Sequence, residues 1–484
     1  MKASVHEQWQ QSIQDMPPVV VPQFPDRDFL ITDYGAVGDG IFHNSSAISQ
    51  AIEACSASGG GRVVIPAGIW LTGPIHLKSN VNLHAEAGAL VIFSSNFNDY
   101  PLIYSTYEGL RTVRCTSPLT AENAENIAIT GSGVFDGSGD AWRPVKKWKM
   151  TDRQWSKLVQ SGGVVDYGKE EIWWPTEKAL QAQALVKELL ASEATDIELF
   201  TPARDYLRPV LLSFRQCRNV LLEGPTFQNS PSWNLHPWLC EHVTVRNVTV
   251  RNPWYAQNGD GIDVESCRYV QILDSHFDVG DDAICMKSGK NEDGRRLGKP
   301  CEYVFISNCT VYHGHGGFVI GSEMSGGVKH VWVTDCTFIG TDVGLRFKST
   351  RGRGGEVEHI HIRNVRMKDI AGEAITFNMY YEVKDPSGEA AVPVSEETPR
   401  FRDIHIYDCL CVGAGKAVLF KGLPEMPIER IEIDGLTVTA NEGVECSYAR
   451  DIHFRNVSIQ PKLGPVYRIQ SSDAITLDGK PITD

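Results

Sequence analysis

Through its second half the chain repeats one short signal: apolar, any, apolar, any, then Asn or Asp. It begins at Val243, Val270, Val304, Val331, Ile360, Ile404 and Ile452, with Asn247, Asp274, Asn308, Asp335, Asn364, Asp408 and Asn456 four places on. Val220 and Ile431 start weaker copies that end in Gly. Alternation with period two marks a strand with one buried face. Successive copies start 21 to 44 residues apart. A fixed strand signal at variable spacing predicts an all-β solenoid whose coils are joined by loops of unequal length.

Upstream, the stretch from Phe29 predicts a strand, a Gly/Asp turn, a helix over Ser45 to Cys55, and short strands cut by Gly, Pro and Asn. That helix is expected to cap the first core layer. From about Trp142 to Ser192 the strand pattern breaks. VKKWKMTDRQWSKLVQ and TEKALQAQALVKELLASEA favour helix instead, which predicts a helical insertion over 142–192. The resulting plan is an N-terminal extension, 1–28, and one repeat domain, 29–484, although 484 residues would by length suggest two or three domains.

Four segments, NGDGID, GDDAICMKSG, HGHGGFVIGSE and GLRFKS, align on Gly261, Ala283, Gly317 and Gly344. Ile262, Ile284, Phe318 and Leu345 then share an inward column, and Val264, Met286, Ile320 and Phe347 the next one. Asp263, Glu265, Lys287, Arg346 and Lys348 fall on the outer face, and the preceding turns add Asp260, Asp281, Asp282 and His315. In stacked parallel coils three carboxylates and an imidazole therefore gather within about two strand spacings. A single turn Asp commonly serves its own backbone. Three together, beside a His and with Gly259, Gly280, Gly314 and Gly316 opening access, point to catalysis. Crowded carboxylates raise the pKa of at least one, giving an acid beside ionised neighbours, as glycoside hydrolysis requires. Arg346 and Lys348 admit two readings: neutralising those acids, or gripping a substrate carboxylate, which would make the sugar a uronate.

A net charge of −14 with no long basic run argues against nucleic-acid or anionic-membrane partners. No run of eighteen apolar residues suggests a membrane span, and the first residues lack the apolar core of a signal peptide, so a cytoplasmic location is expected. Of the twelve Cys, Cys217, Cys240, Cys267 and Cys301 lie three residues before a repeat start, and Cys309, Cys336 and Cys409 five after one. Stacked columns bring pairing within reach, but small buried thiols filling the core are the expected role.

NGDGID, GDDAICMKSG, GHG and RFK, in this order on a solenoid, resemble the four signature blocks of family 28 glycoside hydrolases, the polygalacturonases, from about Phe29 to the end. The resemblance implies a right-handed parallel β-helix, hydrolysis with inversion, and neither metal nor other cofactor. Asp281 would be the general acid, Asp260 and Asp282 would activate water, and His315 would tune Asp281. Arg346 and Lys348 would bind galacturonate, with Asn258 and Tyr381 lining the site. Inversion carries the expectation that the carboxyls stand roughly 6.5–9.5 Å apart. Two departures stand out: Phe347 where the family often has Ile, and Gly259 where it often has Thr.

The expected substrate is a galacturonate-containing oligo- or polysaccharide. The alternatives are a β-helix pectate lyase acting by Ca²⁺-assisted elimination, a hydrolase of rhamnogalacturonan or xylogalacturonan, and a non-catalytic polysaccharide binder, against which the intact acid cluster speaks. The insertion, on the N-terminal side of the catalytic coils, predicts chain-end attack. Trp173 and Trp174 would stack on or wall off a sugar, or else pack as ordinary core. The missing signal peptide points the same way, since imported oligosaccharides would then be the substrate. Oligomeric state is not legible.

Overall fold

Each copy of the repeat lies directly on the next. Val220 pairs with Val243, and the register continues through Val270, Val304, Val331, Ile360, Ile404 and Ile431 to Ile452 without a slip. The Asn or Asp closing each copy has φ between 48° and 56°. The chain thus turns its first corner on one left-handed residue, which Asn and Asp tolerate best after Gly. Gly224 and Gly435 fill the same corner, at φ of 95° and 76°, in the weaker copies.

The computed structural model, which describes residues 5–192, 194–383 and 390–482, is the expected right-handed parallel β-helix. Each coil contributes a strand to three parallel ladders in turn. The first ladder carries the repeat and runs from Asp28–Leu30 to Asp473–Leu477. The second contains Thr226–Gln228, Thr249–Arg251 and His276–Asp278. The third, catalytic ladder stacks Leu235–Trp238, Ile262–Glu265, Asp282–Lys287, Gly316–Ile320 and Val343–Lys348. Farther on, long strands such as Arg366–Asn378 bend from the second ladder into the third through a register shift between Ile370 and Glu373.

Inward columns form one continuous core along the axis. Phe347 stacks on Phe377 with ring centres 4.3 Å apart, and Phe377 on Phe420 at 5.0 Å. The Phe347 departure is therefore a matter of packing, as its inward position implied. All twelve cysteines are buried and free, in keeping with core filling. The helix Ser45–Ala57 buries Ala47, Ile48, Ala51, Ile52 and Cys55 over the first coils, the expected cap. A second helix, Val5–Ile13, lies in the N-terminal extension. Trp9 is buried, and Ser12 Oγ accepts a 3.2 Å hydrogen bond from Trp332 Nε1 on the first ladder's outer side.

The insertion is more than helical. Beside the helices Asp152–Gln160 and Glu177–Ala191 it holds an antiparallel sheet of Val145–Lys146, Glu171–Trp174 and Val164–Tyr167. The sequence signal missed these strands because they are two to four residues long and pair only with one another. Among the described residues no helix is long and apolar enough to cross a membrane.

Candidate active site

The catalytic ladder keeps the predicted register: Ile262, Ile284, Phe318 and Leu345 are paired in sequence, and Val264, Met286, Ile320 and Phe347 beside them. The turns before these strands therefore stack too. Gly261 N–H donates to Asp282 O at 2.9 Å, and His315 N–H to Asp281 O at 2.9 Å. Carboxylate oxygens of Asp260, Asp281 and Asp282 lie within 4.8 Å of one another, and His315 Nδ1 is 3.0 Å from Asp281 Oδ1. All four predicted residues thus meet. The neighbouring glycines do a different job from the one expected. A Cβ on Gly280 would sit 2.6 Å from Pro253 O, and one on Gly314, whose φ is 147°, 2.7 Å from Asp281 O. They let backbones approach rather than opening access.

Oxygens this close contradict the expected 6.5–9.5 Å carboxyl spacing. Consecutive coils fix the distance at about one strand spacing, so a two-carboxylate rule does not decide the stereochemistry of this three-carboxylate cluster.

The cluster is electrostatically divided. Burial pushes Asp260 well above the usual carboxylate range, and the charges of Asp263 and Asp281 add to it. Of the three clustered aspartates Asp260 is therefore the one that favours its protonated form, and buried Asp263 behind it is raised by burial in the same way. For Asp281 burial also acts upward, but the His315 hydrogen bond and the charges of His315, Lys348 and Lys149 outweigh it and hold the group below its ordinary value. His315 is raised in turn: burial acts against its charge, and the bond to Asp281 prevails. One of the three carboxyls is raised, as the crowding predicted, yet it is not Asp281. The pair Asp281–His315 instead carries a single proton, drawn toward the imidazole.

Arg346 and Lys348 reach the cluster in the neutralising arrangement. Lys348 Nζ donates to Asp282 Oδ2 at 2.6 Å and Arg346 Nη1 to Asp282 Oδ1 at 3.2 Å. For Asp282 the upward push of burial is outweighed by these two charges, so it stays ionised. Tyr381 joins them, its ring centre 4.7 Å from Lys348 Nζ and 5.9 Å from Arg346 Cζ. Asn258 turns to another partner, accepting a 2.9 Å hydrogen bond at Oδ1 from Arg208 Nη2.

Beyond the cluster, Lys287 lies 2.8 Å from Glu323 and 3.6 Å from Asp263, and His236 Nε2 lies 2.7 Å from Glu265. These groups lie on the outer side of the ladder but are buried. His236 could have been found by extending the alignment one coil upstream, since Leu235 pairs with Ile262. Glu323 could not, because it follows the strand in a loop of no fixed register. Lys149, also missed, reaches in from the insertion and donates to Gly280 O at 3.5 Å. A cavity of about 1030 Å³ opens beside His315, bordered by Trp148, Lys149, Trp254, Tyr255 and Asp342. Trp173 and Trp174 are 7% and 6% exposed. Trp173 Nε1 donates to Gly162 O, so the core reading holds for it; Trp174 packs on Tyr206. The insertion's exposed aromatic side chains are instead Trp148, 66% exposed and at the cavity's edge, and Tyr167, 77% exposed.

Comparison with known proteins agrees with this arrangement. The pattern of glycosyl hydrolases family 28 matches residues 203–459. The exo-poly-alpha-D-galacturonosidase of Dickeya chrysanthemi is 29% identical over 475 residues, covering 94% of this chain and 74% of that protein. The crystal structure of a hyperthermoactive exopolygalacturonase from Thermotoga maritima superposes with a TM-score of 0.76 at 32% identity, over 99% of this chain and 97% of that one. A family 28 exopolygalacturonase from Yersinia enterocolitica gives a TM-score of 0.76 at 25% identity, over 95% and 79%. With a solenoid of this register and an Asp260, Asp281, Asp282 and His315 cluster on its catalytic ladder, the chain belongs to family 28 of the glycosyl hydrolases.

Proposed function

We propose that this enzyme hydrolyses α-1,4-galacturonosyl linkages of galacturonate oligo- or polysaccharides with inversion, working from chain ends. The observation that carries the reading is the division of protons in the cluster. Asp282, kept ionised by Lys348 and Arg346, takes the proton of the attacking water while Asp260 orients that water. Asp281 delivers a proton to the leaving oxygen, drawn from the Asp281–His315 pair. One proton is taken up and one released, so the step balances. The field of Arg346 and Lys348, with Tyr381 beside them, favours an anionic sugar near the scissile bond.

The three aspartates could converge on a cation, as a lyase would need. Two of them are already engaged, Asp282 by Lys348 and Arg346 and Asp281 by His315, and this favours hydrolysis. Chain-end attack is supported by the insertion against the catalytic turns and by the exo-acting character of the Dickeya, Thermotoga and Yersinia relatives. Digestion of polygalacturonate should release mainly monomer or one short product while viscosity falls slowly. A mixed ladder of oligomers with a rapid viscosity drop would overturn chain-end attack, and an absorbing unsaturated product would overturn hydrolysis itself.

A further inference from the structure

On the other side of the aspartates from Arg346 and Lys348, toward the earlier coils, lies a second cavity of about 190 Å³. It is bordered by Tyr107, Glu108, Arg114, Lys146, Arg208 and Asn258, with Trp174 beside them. Asn258 ties it to the acid cluster, standing two residues before Asp260. The insertion closes one side with Lys146 and Trp174, and the hairpin of Leu102–Tyr107 and Leu110–Cys115 closes another. That hairpin is fixed in place: Tyr107 Oη and Ser232 Oγ are 2.7 Å apart, and Lys290 N–H donates to Gly109 O at 3.1 Å.

The charge of this cavity is unbalanced. Arg208 is buried, and its guanidinium donates to Pro231 O, Gln257 O and Asn258 Oδ1 at 2.9 to 3.0 Å, all neutral acceptors. Arg114 lies with its guanidinium 3.8 Å from the Tyr107 ring centre and donates to the Arg208 carbonyl. Its Nε is out of solvent without a hydrogen-bond partner. Among the described residues neither arginine has a carboxylate within ion-pair distance. Lys146 is matched by Glu170 at 3.1 Å, and Glu108 lies 3.9 Å from Lys290. Burial holds the Arg114 guanidinium below its ordinary value and the charge of Arg208 adds to this, while Tyr107, Cys115 and Glu108 act the other way without prevailing. Lys287 and Lys348, buried nearby, each have an acid. Glu108 faces Lys290 instead, and two adjacent cations with no carboxylate in contact cost free energy that a bound anion would relieve. A planar carboxylate fits a guanidinium best, and the cavity has room for a single sugar residue.

We propose that the Arg114–Arg208 cavity binds the carboxylate of the substrate's terminal uronate, so that the scissile bond lies between two separately held sugar acids. This rests on the galacturonan reading above and adds which residues select the chain end. Arg208, tied to three acceptors, positions Arg114, which has bonding capacity left over.

The test compares kcat/KM for trigalacturonate with that for two trimers, each with the carboxyl of one terminal residue reduced to an alcohol. The parent should cut one of these at least about tenfold less efficiently, the usual scale of one charge-assisted pair. Arg114→Gln should lose about as much on trigalacturonate and nothing further on that trimer, and Arg114→Lys, which keeps the charge, should recover part of the loss. Equal losses on all three substrates would mean a merely structural role and overturn the proposal, as would a parent that cuts all three alike. Calorimetry reads the cavity without turnover. The parent should prefer galacturonate over galactose, and Arg114→Gln should lose that preference. A parent that binds both equally overturns the cavity assignment even if trigalacturonate is hydrolysed, whereas an Arg114-dependent preference without hydrolysis would count against the functional reading alone.

Discussion

Asp281→Asn keeps the fold and lowers turnover by two orders of magnitude or more, because general-acid assistance is worth about 10²–10⁴. The substitution is nearly isosteric, and the surrounding backbone is set by coil stacking, with His315 N–H on Asp281 O. What disappears is the ionisable partner of His315. The imidazole then faces a neutral amide in place of the charge that helps raise it, and an amide 3.0 Å away cannot relay its proton to the leaving oxygen. Substrate affinity should change little, since Arg346, Lys348 and Tyr381 are untouched. Steady-state kinetics on trigalacturonate, with a thermal melt to verify folding, checks this. A folded Asp281→Asn protein with near-parental kcat removes Asp281 as the acid and leaves Asp260, the clustered aspartate that favours its protonated form, as the candidate.

Lys348→Ala carries the second large effect, on stability as well as activity. Lys348 falls on the outward face of its strand, where a cation ordinarily contributes little to the fold, but it is 6% exposed and bonded at 2.6 Å to buried Asp282. Breaking a buried pair from one side typically costs about 3–5 kcal/mol. The pH dependence follows from sign. Asp282 is depressed below its unfolded value in the parent, so its contribution is present above the ordinary Asp pKa and is lost as pH falls through the folded value. In Lys348→Ala the main opposing charge is gone and burial drives the carboxyl upward, so the stability gap to the parent narrows as the pH is lowered. Chemical denaturation of both proteins at neutral and acid pH measures it. Lys348→Ala combined with Asp282→Asn should regain much of the lost stability, as coupled neighbours do. A single variant as stable as the parent at neutral pH would contradict the pairing.

The inward columns were legible because a strand's period of two leaves no freedom once one face is buried. The register from Val220 to Ile452 and the meeting of Asp260, Asp281, Asp282 and His315 both follow from it. What the sequence hid lies outside that register. Glu323 sits in a loop, Lys149 and Trp148 on the insertion, and Arg114 on a hairpin that reaches the site through Lys290 and Ser232. Partners of this kind depend on where loops dock, which no periodicity encodes. Burial was the other blind spot. Alternation marks Lys348 and Asp263 as outward but cannot tell that they are buried, and so it could neither choose between the two readings of Lys348 nor say which carboxyl burial would raise.

Inversion is the point that carboxylate spacing leaves undecided, since the oxygens of three aspartates lie within 4.8 Å while the resemblance implies a water attacking from the opposite face. Proton NMR of trigalacturonate digestion, recorded before mutarotation, decides it. The mechanism assigned to Asp260, Asp281 and Asp282 predicts the β-anomer as the first-formed reducing end from an α linkage; first appearance of the α-anomer would mean retention and would contradict it.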